Sequence, residues 1–220
     1  DRTDEGLLAS LKYLILSSVG ILFFLIGVFL VYRDLGTLSL RLIAGHEALQ
    51  SSTIRLAVVA MVVGIGVRTA FIPFHTWLPE AHAYAPHPIS ALLSGVLIKV
   101  SFFAMVRILR VFSAAYLQDL LLWIGGTTAL VAVVWALSQH DAKRLLAYHS
   151  ISQMGYVLAA FGAVSTLSMP AATLYAVNHA LFKSLLFLSV GAFIRISGER
   201  SVYRMRGLAR TAPLLAGAFL

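Results

Sequence analysis

The chain has 220 residues, of which 60% are hydrophobic and only 12% are charged, and its formal net charge is +8. A soluble domain carries roughly 25% charged residues because its surface faces water, so we expect most of this surface to contact lipid or neighbouring protein. The absence of cysteine excludes disulfides, thiolate metal sites and cysteine nucleophiles. The basic residues stand singly or in short loops between apolar stretches, which indicates membrane topology and argues against nucleic-acid binding.

Six apolar stretches are long enough, or nearly so, to cross the hydrocarbon core of a bilayer, which takes about 20 helical residues. They predict membrane helices at 7–32, 54–78, 89–111, 116–138, 150–167 and 171–196, and the run at 212–220 predicts the start of a seventh. The sequence therefore predicts an all-α polytopic membrane protein with one transmembrane domain over 1–220. We expect this domain to be incomplete at both ends, because the chain lacks an initiator Met and its last apolar run is short.

The second predicted span contains glycine and proline residues that interrupt helices. Gly64 and Gly66 weaken a helix, and Pro73 removes one backbone hydrogen bond. Further prolines stiffen the connection to the third span, at Pro79, Pro86 and Pro88. This pattern predicts a helix broken inside the membrane, a feature that often lines transport sites. A simple proline kink is the alternative.

The distribution of Lys and Arg predicts the orientation of the chain. The chain start and the loops at 79–88, 139–149 and 197–211 are expected to share one side, and they hold Arg2, Lys143, Arg144, Arg200, Arg204, Arg206 and Arg210. The other side holds fewer, namely Arg33, Arg41, Arg55 and Arg110. We therefore expect the chain start on the cytoplasmic or equivalent side.

Three cations lie near the middle of predicted spans: Arg68, Lys99 and Lys183. A charge at that depth costs about 2.5–3.5 kcal/mol on insertion scales, and such residues usually face a bundle interior or a hydrated cavity. All acidic residues fall outside the spans or at their ends: Asp1, Asp4, Glu5, Asp34, Glu47, Glu80, Asp119, Asp141 and Glu199. Structural salt bridges would be the simplest explanation of the cations, but the balancing carboxylates would then lie on other helices or on partner subunits.

The buried cations differ in what they can do. A lysine amine can lose and regain a proton, whereas a guanidinium stays protonated. His179 lies one helical turn before Lys183, so the two share a helix face and form, with Lys99, a candidate proton pathway. Arg68 is also assigned to this candidate proton pathway, as a charge that does not titrate.

Three further basic groups are candidate secondary relays, namely His75, His149 and Lys143. Interfacial hydrogen bonding is the simpler prediction for His82, His87 and His149. A haem site needs histidines facing each other on two helices, and only His179 is convincingly deep, so we expect no haem. No metal site or other cofactor is predicted in this chain.

The chain resembles a known family at these residues. The motifs are FHTWLPEAHAYAPHPISALLSGVLIK (74–99), DAKRLLAYHSISQMGY (141–156) and HALFKSLLFLSVGAFI (179–194), with LKYLILSSVG (11–20) and GERSVYRMRGL (198–208) also similar. They resemble the proton-conducting, antiporter-like subunits of respiratory complex I, Mrp-type sodium/proton antiporters and energy-converting membrane-bound hydrogenases. The resemblance covers essentially the whole chain.

The resemblance implies an inverted-repeat bundle, of which the chain covers roughly helices six to eleven. Residues 1–112 would end the first repeat and 113–220 would begin the second. Lys99 falls on the family's lysine of helix eight, and His179 and Lys183 on the histidine and lysine of helix eleven. Arg68 departs from the pattern, because the family normally has a lysine there, paired with a glutamate on helix five.

The function implied is that of a proton-translocating membrane subunit of a multi-subunit redox-driven complex, with no redox chemistry of its own. Alternatives are an Mrp-type antiporter subunit and, from another class, a non-conducting structural or coupling subunit. A quinone- or haem-binding membrane enzyme is a further alternative. Expected partners are other membrane subunits, including antiporter-like paralogues, and the bilayer of a prokaryotic cell membrane or an organellar inner membrane.

Overall fold

The computed structural model describes residues 4–163, 165–205 and 207–219. Within these ranges the chain is helical between its turns and loops, and β-structure is limited to a single bridge between Asp141 and Ser201. The helices are α1 (Asp4–Leu35), α2 (Leu40–Ile43), α3 (Ser52–Thr69), α4 (Trp77–Tyr84), α5 (His87–Leu92), α6 (Ile98–Val111), α7 (Gln118–Leu137), α8 (Ala142–Gly162), α9 (Ser168–Ser197), α10 (Leu208–Thr211) and α11 (Pro213–Phe219). Four residues named in the predictions lie outside the described residues. Arg2 and Arg206 were counted in the distribution of basic residues, Asp1 was counted among the acidic residues, and Leu220 ends the predicted seventh span.

Five described segments are long and apolar enough to cross a membrane, judged by length and composition: Asp4–Leu35, Ser52–Tyr84, His87–Val111, Ala115–Leu137 and Ser168–Ser197. They overlap five of the six predicted spans. An integral membrane protein with an all-helical architecture is therefore confirmed.

The remaining predicted span, 150–167, overlaps α8, whose bounds differ from the prediction. α8 begins at Ala142, where the Asp141 carboxylate accepts hydrogen bonds from the backbone N–H groups of Lys143 and Arg144, and it ends at Gly162. The start predicted from apolarity, residue 150, is eight residues later than the observed start at Ala142, because the first turn of α8 carries these two cations. The number of membrane crossings and the seventh span stay predictions.

The α-helical path stops at Thr69 and resumes at Trp77. Ala70 takes a left-handed conformation with φ of 58°, and a 3-10 turn follows at Phe74–Thr76. Pro73 has no N–H and disfavours a helical conformation in the residue before it, which accounts for the interruption. Groups nearby satisfy the freed backbone: the Trp77 indole N–H donates to the Val67 carbonyl at 2.7 Å.

Glycines allow two helix pairs to pack closely. A Cβ at Gly155 on α8 would lie 2.5 Å from the Ala129 nitrogen on α7, and one at Gly20 on α1 would lie 2.9 Å from the Gly64 oxygen on α3. Small residues of this kind let membrane helices approach backbone to backbone. Together with the buried core around Phe102, these contacts pack α7 against α8 and α1 against α3.

One end of the bundle gathers four segments that are distant in sequence. The Tyr84 hydroxyl donates to Glu5 at 2.8 Å, and Arg200 pairs with Asp141 at 3.0 Å. These residues also line one cleft, together with Arg144. The beginning of α1, the end of α4, the beginning of α8 and the segment after α9 therefore lie at the same end.

Candidate functional site

Lys99 is buried beside a widened helical turn. Residues Leu93–Leu97 form a π-helical turn between α5 and α6, and Lys99 follows it with 5% of its surface exposed. Its amine donates a hydrogen bond to the carbonyl of Ser94 within that turn. Single π-turns inside α-helices are frequent at functional sites, because they break the regular hydrogen-bond ladder.

A pair of serine hydroxyls connects this turn to α8. Ser94 Oγ and Ser150 Oγ lie 2.8 Å apart, and both residues are 0% exposed. Ser150 Oγ in turn donates to the Leu146 carbonyl at 2.8 Å. Ser94 is therefore the donor within the pair, with its proton directed at Ser150.

Lys183 completes the network from α9. It is 0% exposed, and its Nζ donates to the same Leu146 carbonyl at 2.8 Å. The Leu146 carbonyl thus joins Lys183 to the serine pair, and Lys99 reaches the same pair of residues at the backbone carbonyl of Ser94, not at its hydroxyl. Hydroxyls both donate and accept, so the serine pair is suited to proton exchange, whereas the carbonyl only aligns the two donors it accepts from.

Ser94 and Ser150 are not among the site residues that the sequence predicts. The available signal was a hydroxyl within an otherwise apolar span, five residues before Lys99 in one case and one turn after Leu146 in the other. Serine is common in membrane helices, where it often bonds only to its own helix. The contact between the two serines depends on how α8 packs against the π-turn, and sequence spacing does not show that.

His179 lies beside this network. It is 0% exposed, and neither ring nitrogen has a hydrogen-bond partner among the described residues. Lys183 follows it by one turn on α9, and His149 precedes Ser150 on α8. His149 is half-buried and lies 3.3 Å from the Gln153 amide nitrogen. The structure therefore brings Lys99, Lys183, His179 and His149 together.

Arg68 lies elsewhere, on the α1 side of α3. It is half-buried, and its Nη2 donates to Ser17 Oγ on α1 at 3.1 Å. Within the part of the chain that the structure describes, no carboxylate forms an ion pair with it. The nearby pair of Lys12 and Glu80, 2.8 Å apart, joins α1 to α4 instead.

The two other secondary candidates are also separate from the network. Lys143 is 3% exposed at the first turn of α8 and donates to the Ala85 carbonyl. His75 is 8% exposed and stacks on Trp135 with ring centroids 4.9 Å apart. Lys143 lies near the end of the bundle, and His75 packs against α7.

The predicted loop position is wrong for His82, which lies in α4. This residue is 0% exposed and stacks on Phe187 of α9. Its position follows from the interrupted helix, because α4 resumes at Trp77 and packs against α8 instead of ending in a surface loop. The loop predicted at 79–88 is in large part helical.

Comparison with known proteins decides the family. Residues 2–220 match the model of the NADH:quinone oxidoreductase/Mrp antiporter transmembrane family. The chain belongs to this family. Its membership agrees with the resemblance that the motifs indicated.

Curated relatives of this antiporter family come from three kinds of complex. The chain is 34% identical to an NADH-quinone oxidoreductase subunit of Desulforudis audaxviator, over 98% of the chain and 44% of the relative. It is 35% identical to a hydrogenase-4 component homolog of Methylacidiphilum infernorum, over 97% and 48%. It is 33% identical to a Na⁺/H⁺ antiporter subunit of Alkalihalophilus pseudofirmus, over 99% and 45%. The chain spans less than half the length of these relatives.

Two solved structures are similar to this chain over nearly its whole length. One chain of the membrane-bound sulfane sulfur reductase, an archaeal respiratory membrane complex, matches with a TM-score of 0.92 and 30% identity, over 100% of this chain and 46% of that one. One chain of the Mrp complex from Dietzia sp. matches with a TM-score of 0.92 and 27% identity, over 99% and 41%.

Proposed function

We propose that this chain is the proton-translocating portion of an antiporter-like membrane subunit in a multi-subunit redox-driven complex, of the complex I or membrane-bound hydrogenase type. Protons would move along Lys99, Lys183 and His179, with water between them. The observation that carries this proposal is the buried pair of hydrogen-bonded residues, Ser94 and Ser150, that lies between Lys99 and Lys183 and contacts both sides. An Mrp-type sodium/proton antiporter subunit is the alternative, and the relatives include one.

Burial of the lysines supports proton exchange. Neither Lys99 nor Lys183 pairs with a carboxylate among the described residues, and two buried uncompensated charges would be strongly destabilising. An amine escapes that penalty by releasing its proton, which a guanidinium cannot do. Each lysine can therefore be charged for only part of a transport cycle, and the neutral partner is then ready to receive the proton.

We further propose that α8 is a sixth membrane crossing. It begins at the end of the bundle where α9 finishes, since Asp141 and Arg200 pair there. Its 21 residues cover about 31 Å, close to the thickness of the hydrocarbon core. The interruption between Thr69 and Trp77 would then be a broken membrane helix. Residues 1–112 would end one inverted repeat and 113–220 would begin the next, with the chain start on the cytoplasmic or equivalent side.

Partners follow from the same reasoning. Because the chain spans less than half of its relatives, the carboxylate that balances Arg68 is expected on another helix of the subunit or on a neighbouring subunit. Other membrane subunits, antiporter-like paralogues among them, are the proposed neighbours, and the membership of both matching solved chains in complexes supports this.

Transport by the complete complex in sealed vesicles tests the proposal. Lys99→Ala and Lys183→Ala should each abolish proton translocation while the complex still assembles. Lys99→Arg separates charge from titration, because it keeps the cation but cannot release a proton, and it should also fail. Arg41→Gln, at an exposed site, is the control. Undiminished pumping by both alanine variants would disprove the pathway.

Arg68 favours the second candidate, a subunit that couples its partners without conducting. A permanent charge bonded to Ser17 is suited to holding helices together. Arg68→Lys distinguishes the two functions: a rise in proton conductance would indicate that the arginine locks the route. An unchanged conductance would indicate that the route is already intact.

A further inference from the structure

We propose that the ends of α6 and α8 and the beginnings of α7 and α9 form a binding site for an anionic phospholipid, whose phosphate is held by Arg107 and Arg110. This inference goes beyond the proposed function, because it concerns bound lipid and holds whether or not the buried lysines carry protons. Its support comes from two adjoining cavities, from two arginines without ion pairs, and from the level of these arginines in the membrane.

Two cavities adjoin at the end of the bundle opposite to Arg200. α8 begins at the Arg200 end, and its last turn lines the first cavity through Phe161. This cavity has a volume of about 650 Å³, and the second, which follows α6, has a volume of about 500 Å³. Arg110 and Met169 line both of them. The two cavities therefore form one continuous depression, which we call the α6–α9 groove.

The α6–α9 groove is polar in one part and apolar in the other. Hydroxyl and amide side chains line the first cavity, at Ser113, Thr166 and Gln118. The second cavity is lined largely by apolar side chains, which include Phe103. Phe103 precedes Arg110 by seven residues, so it lies about 10 Å deeper along the helix. Polar groups at the end of the bundle and apolar groups below them match the headgroup and an acyl chain of a phospholipid.

The two arginines lie at the level of the lipid headgroups. They are near the end of His87–Val111, a segment of 25 residues that is long and apolar enough to span a membrane. A helix of this length extends about 37 Å, which exceeds the hydrocarbon core of about 30 Å and brings its ends among the headgroups. Arg107 and Arg110 are three residues apart, so they share a helix face. One phosphate group can therefore contact both guanidinium groups.

The positive charge of the groove has no counter-charge in the part of the chain that the structure describes. Neither of its guanidinium groups forms an ion pair or a hydrogen bond there, whereas Arg33 pairs with Asp34 and Arg55 donates to Gln50 at the same end of the bundle. No acidic residue is among the described lining residues, and Asp119, next to Gln118 in the sequence, lies outside that lining. Basic pockets between membrane helices bind anionic headgroups, and guanidinium groups bond strongly to phosphate.

A simpler function for such arginines is to anchor a helix end in the interface, where long basic side chains reach the water. That function needs no cavity and no preference for one class of lipid. Arg41 fits it, because this residue is exposed and lines neither cavity of the groove. Arg41 is therefore the matched control for the two arginines of the site.

Photolabelling of the complete complex in phosphatidylcholine nanodiscs tests the site. A small share of the lipid is phosphatidylglycerol with a photoreactive group on one acyl chain, and a parallel sample carries the same group on phosphatidylcholine. Peptide mass spectrometry should find the phosphatidylglycerol label around Phe103 and Met169. Each basic side chain near the surface strengthens the binding of anionic lipid about fivefold, so we expect labelling there to favour phosphatidylglycerol about 25-fold.

Charge variants assign this preference to the groove. Arg107→Gln and Arg110→Gln should each lower it about fivefold, and the double variant should abolish it, while Arg41→Gln leaves it unchanged. Gln118→Glu keeps the shape of the side chain but places a carboxylate beside the lipid phosphate, so it should also lower the preference. An acidic residue is stabilising at the start of a helix, so this variant should fold. Gln139→Glu, at the opposite end of the bundle, is its control.

Three results would overturn the proposal. Equal labelling by the two lipids would mean that acyl chains contact the groove without recognition of the headgroup. Labelling by neither lipid would mean that another helix of the subunit or of a partner covers the groove. Displacement of the labelled lipid by inorganic phosphate would indicate a site for a free anion. None of these results depends on whether Lys99→Ala pumps protons, so the lipid site and the proposed function fail separately.

Discussion

Lys183 and Ser150 donate hydrogen bonds to the same acceptor, the carbonyl oxygen of Leu146, each at 2.8 Å. Two donors on one oxygen hold the amine of α9 next to the hydroxyl of α8. Because Ser150 also contacts Ser94, any motion of Lys183 that releases this carbonyl changes the hydrogen bonding of the serine pair. The Leu146 peptide group therefore couples Lys183 to the serine pair, and Lys99 is held on the other side of that pair by the backbone carbonyl of Ser94.

Removing the Ser150 hydroxyl tests this coupling. In Ser150→Ala, the Leu146 carbonyl keeps Lys183, but Ser94 loses its acceptor and the polar path is cut. We expect proton translocation to fall at least about tenfold, with a loss of stability of only about 1 kcal/mol, which is typical of one hydrogen bond. Transport in vesicles and the midpoint of thermal unfolding measure the two effects.

Ser138→Ala provides the matched control for that experiment, since Ser138 donates to the Trp135 carbonyl of its own helix and accepts from the adjacent Gln139 side chain, both at an exposed site. Its transport rate should equal that of the parent. If Ser150→Ala pumps at the parental rate, the serine pair is structural, and protons reach Lys183 by another route.

The interrupted helix depends on the Trp77 indole. Its N–H donates to the Val67 carbonyl, which the interruption leaves without a helical partner, and the residue is 1% exposed. Trp77→Phe keeps an aromatic ring but leaves that carbonyl unsatisfied, which costs about 1–3 kcal/mol. Thermal unfolding in lipid nanodiscs should show the decrease. A stability equal to that of the parent would mean that water or another group replaces the indole.

The ion pair between Lys12 and Glu80 should contribute little to stability. Their side chains are 40% and 38% exposed, and solvent screens such pairs to about 0.2–1 kcal/mol. A double-mutant cycle with Lys12→Ala and Glu80→Ala measures the coupling free energy. A value well above this range would show that the pair is shielded from water in the assembled complex.

Two glycines of the α7–α8 pair should respond in opposite directions. A Cβ at Gly155 would meet the Ala129 nitrogen and the Gly125 oxygen, whereas one at Gly126 meets nothing within 4 Å. Gly155→Ala should force the helices apart and destabilise the protein by about 1–3 kcal/mol. Gly126→Ala should be neutral or stabilising by up to about 1 kcal/mol. Unfolding midpoints compare them, and equal effects would contradict the close packing.

The sequence was most informative about long apolar helices and least informative about contacts between them. The spans at 7–32 and 171–196 follow from apolarity alone, and they correspond to α1 and α9. The burial of Lys99 and Lys183 within the bundle was also predictable, since cations near the middle of apolar spans usually face a bundle interior. Both residues are buried in the structure.

Positions that depend on tertiary packing were not predictable. His82 follows the helix interruption by several residues, and proline-rich sequence around it is typical of a surface loop. Only the packing of α4 against α8 and α9 buries it. Ser94 and Ser150 are 56 residues apart, and no local pattern relates them. The start of α8 was placed too late for a related reason, because its polar residues are sheltered by neighbouring helices.

The polar composition of α8 affects how the topology of such chains is counted. If α8 crosses the bilayer, the described chain makes an even number of crossings and returns to the face from which it set out. A hydropathy threshold that omits α8 makes the number odd and inverts the inferred sidedness of everything after Leu137. Omitting α8, the helix that supplies Ser150 and the Leu146 carbonyl, therefore reverses the sidedness inferred for the segments that follow it.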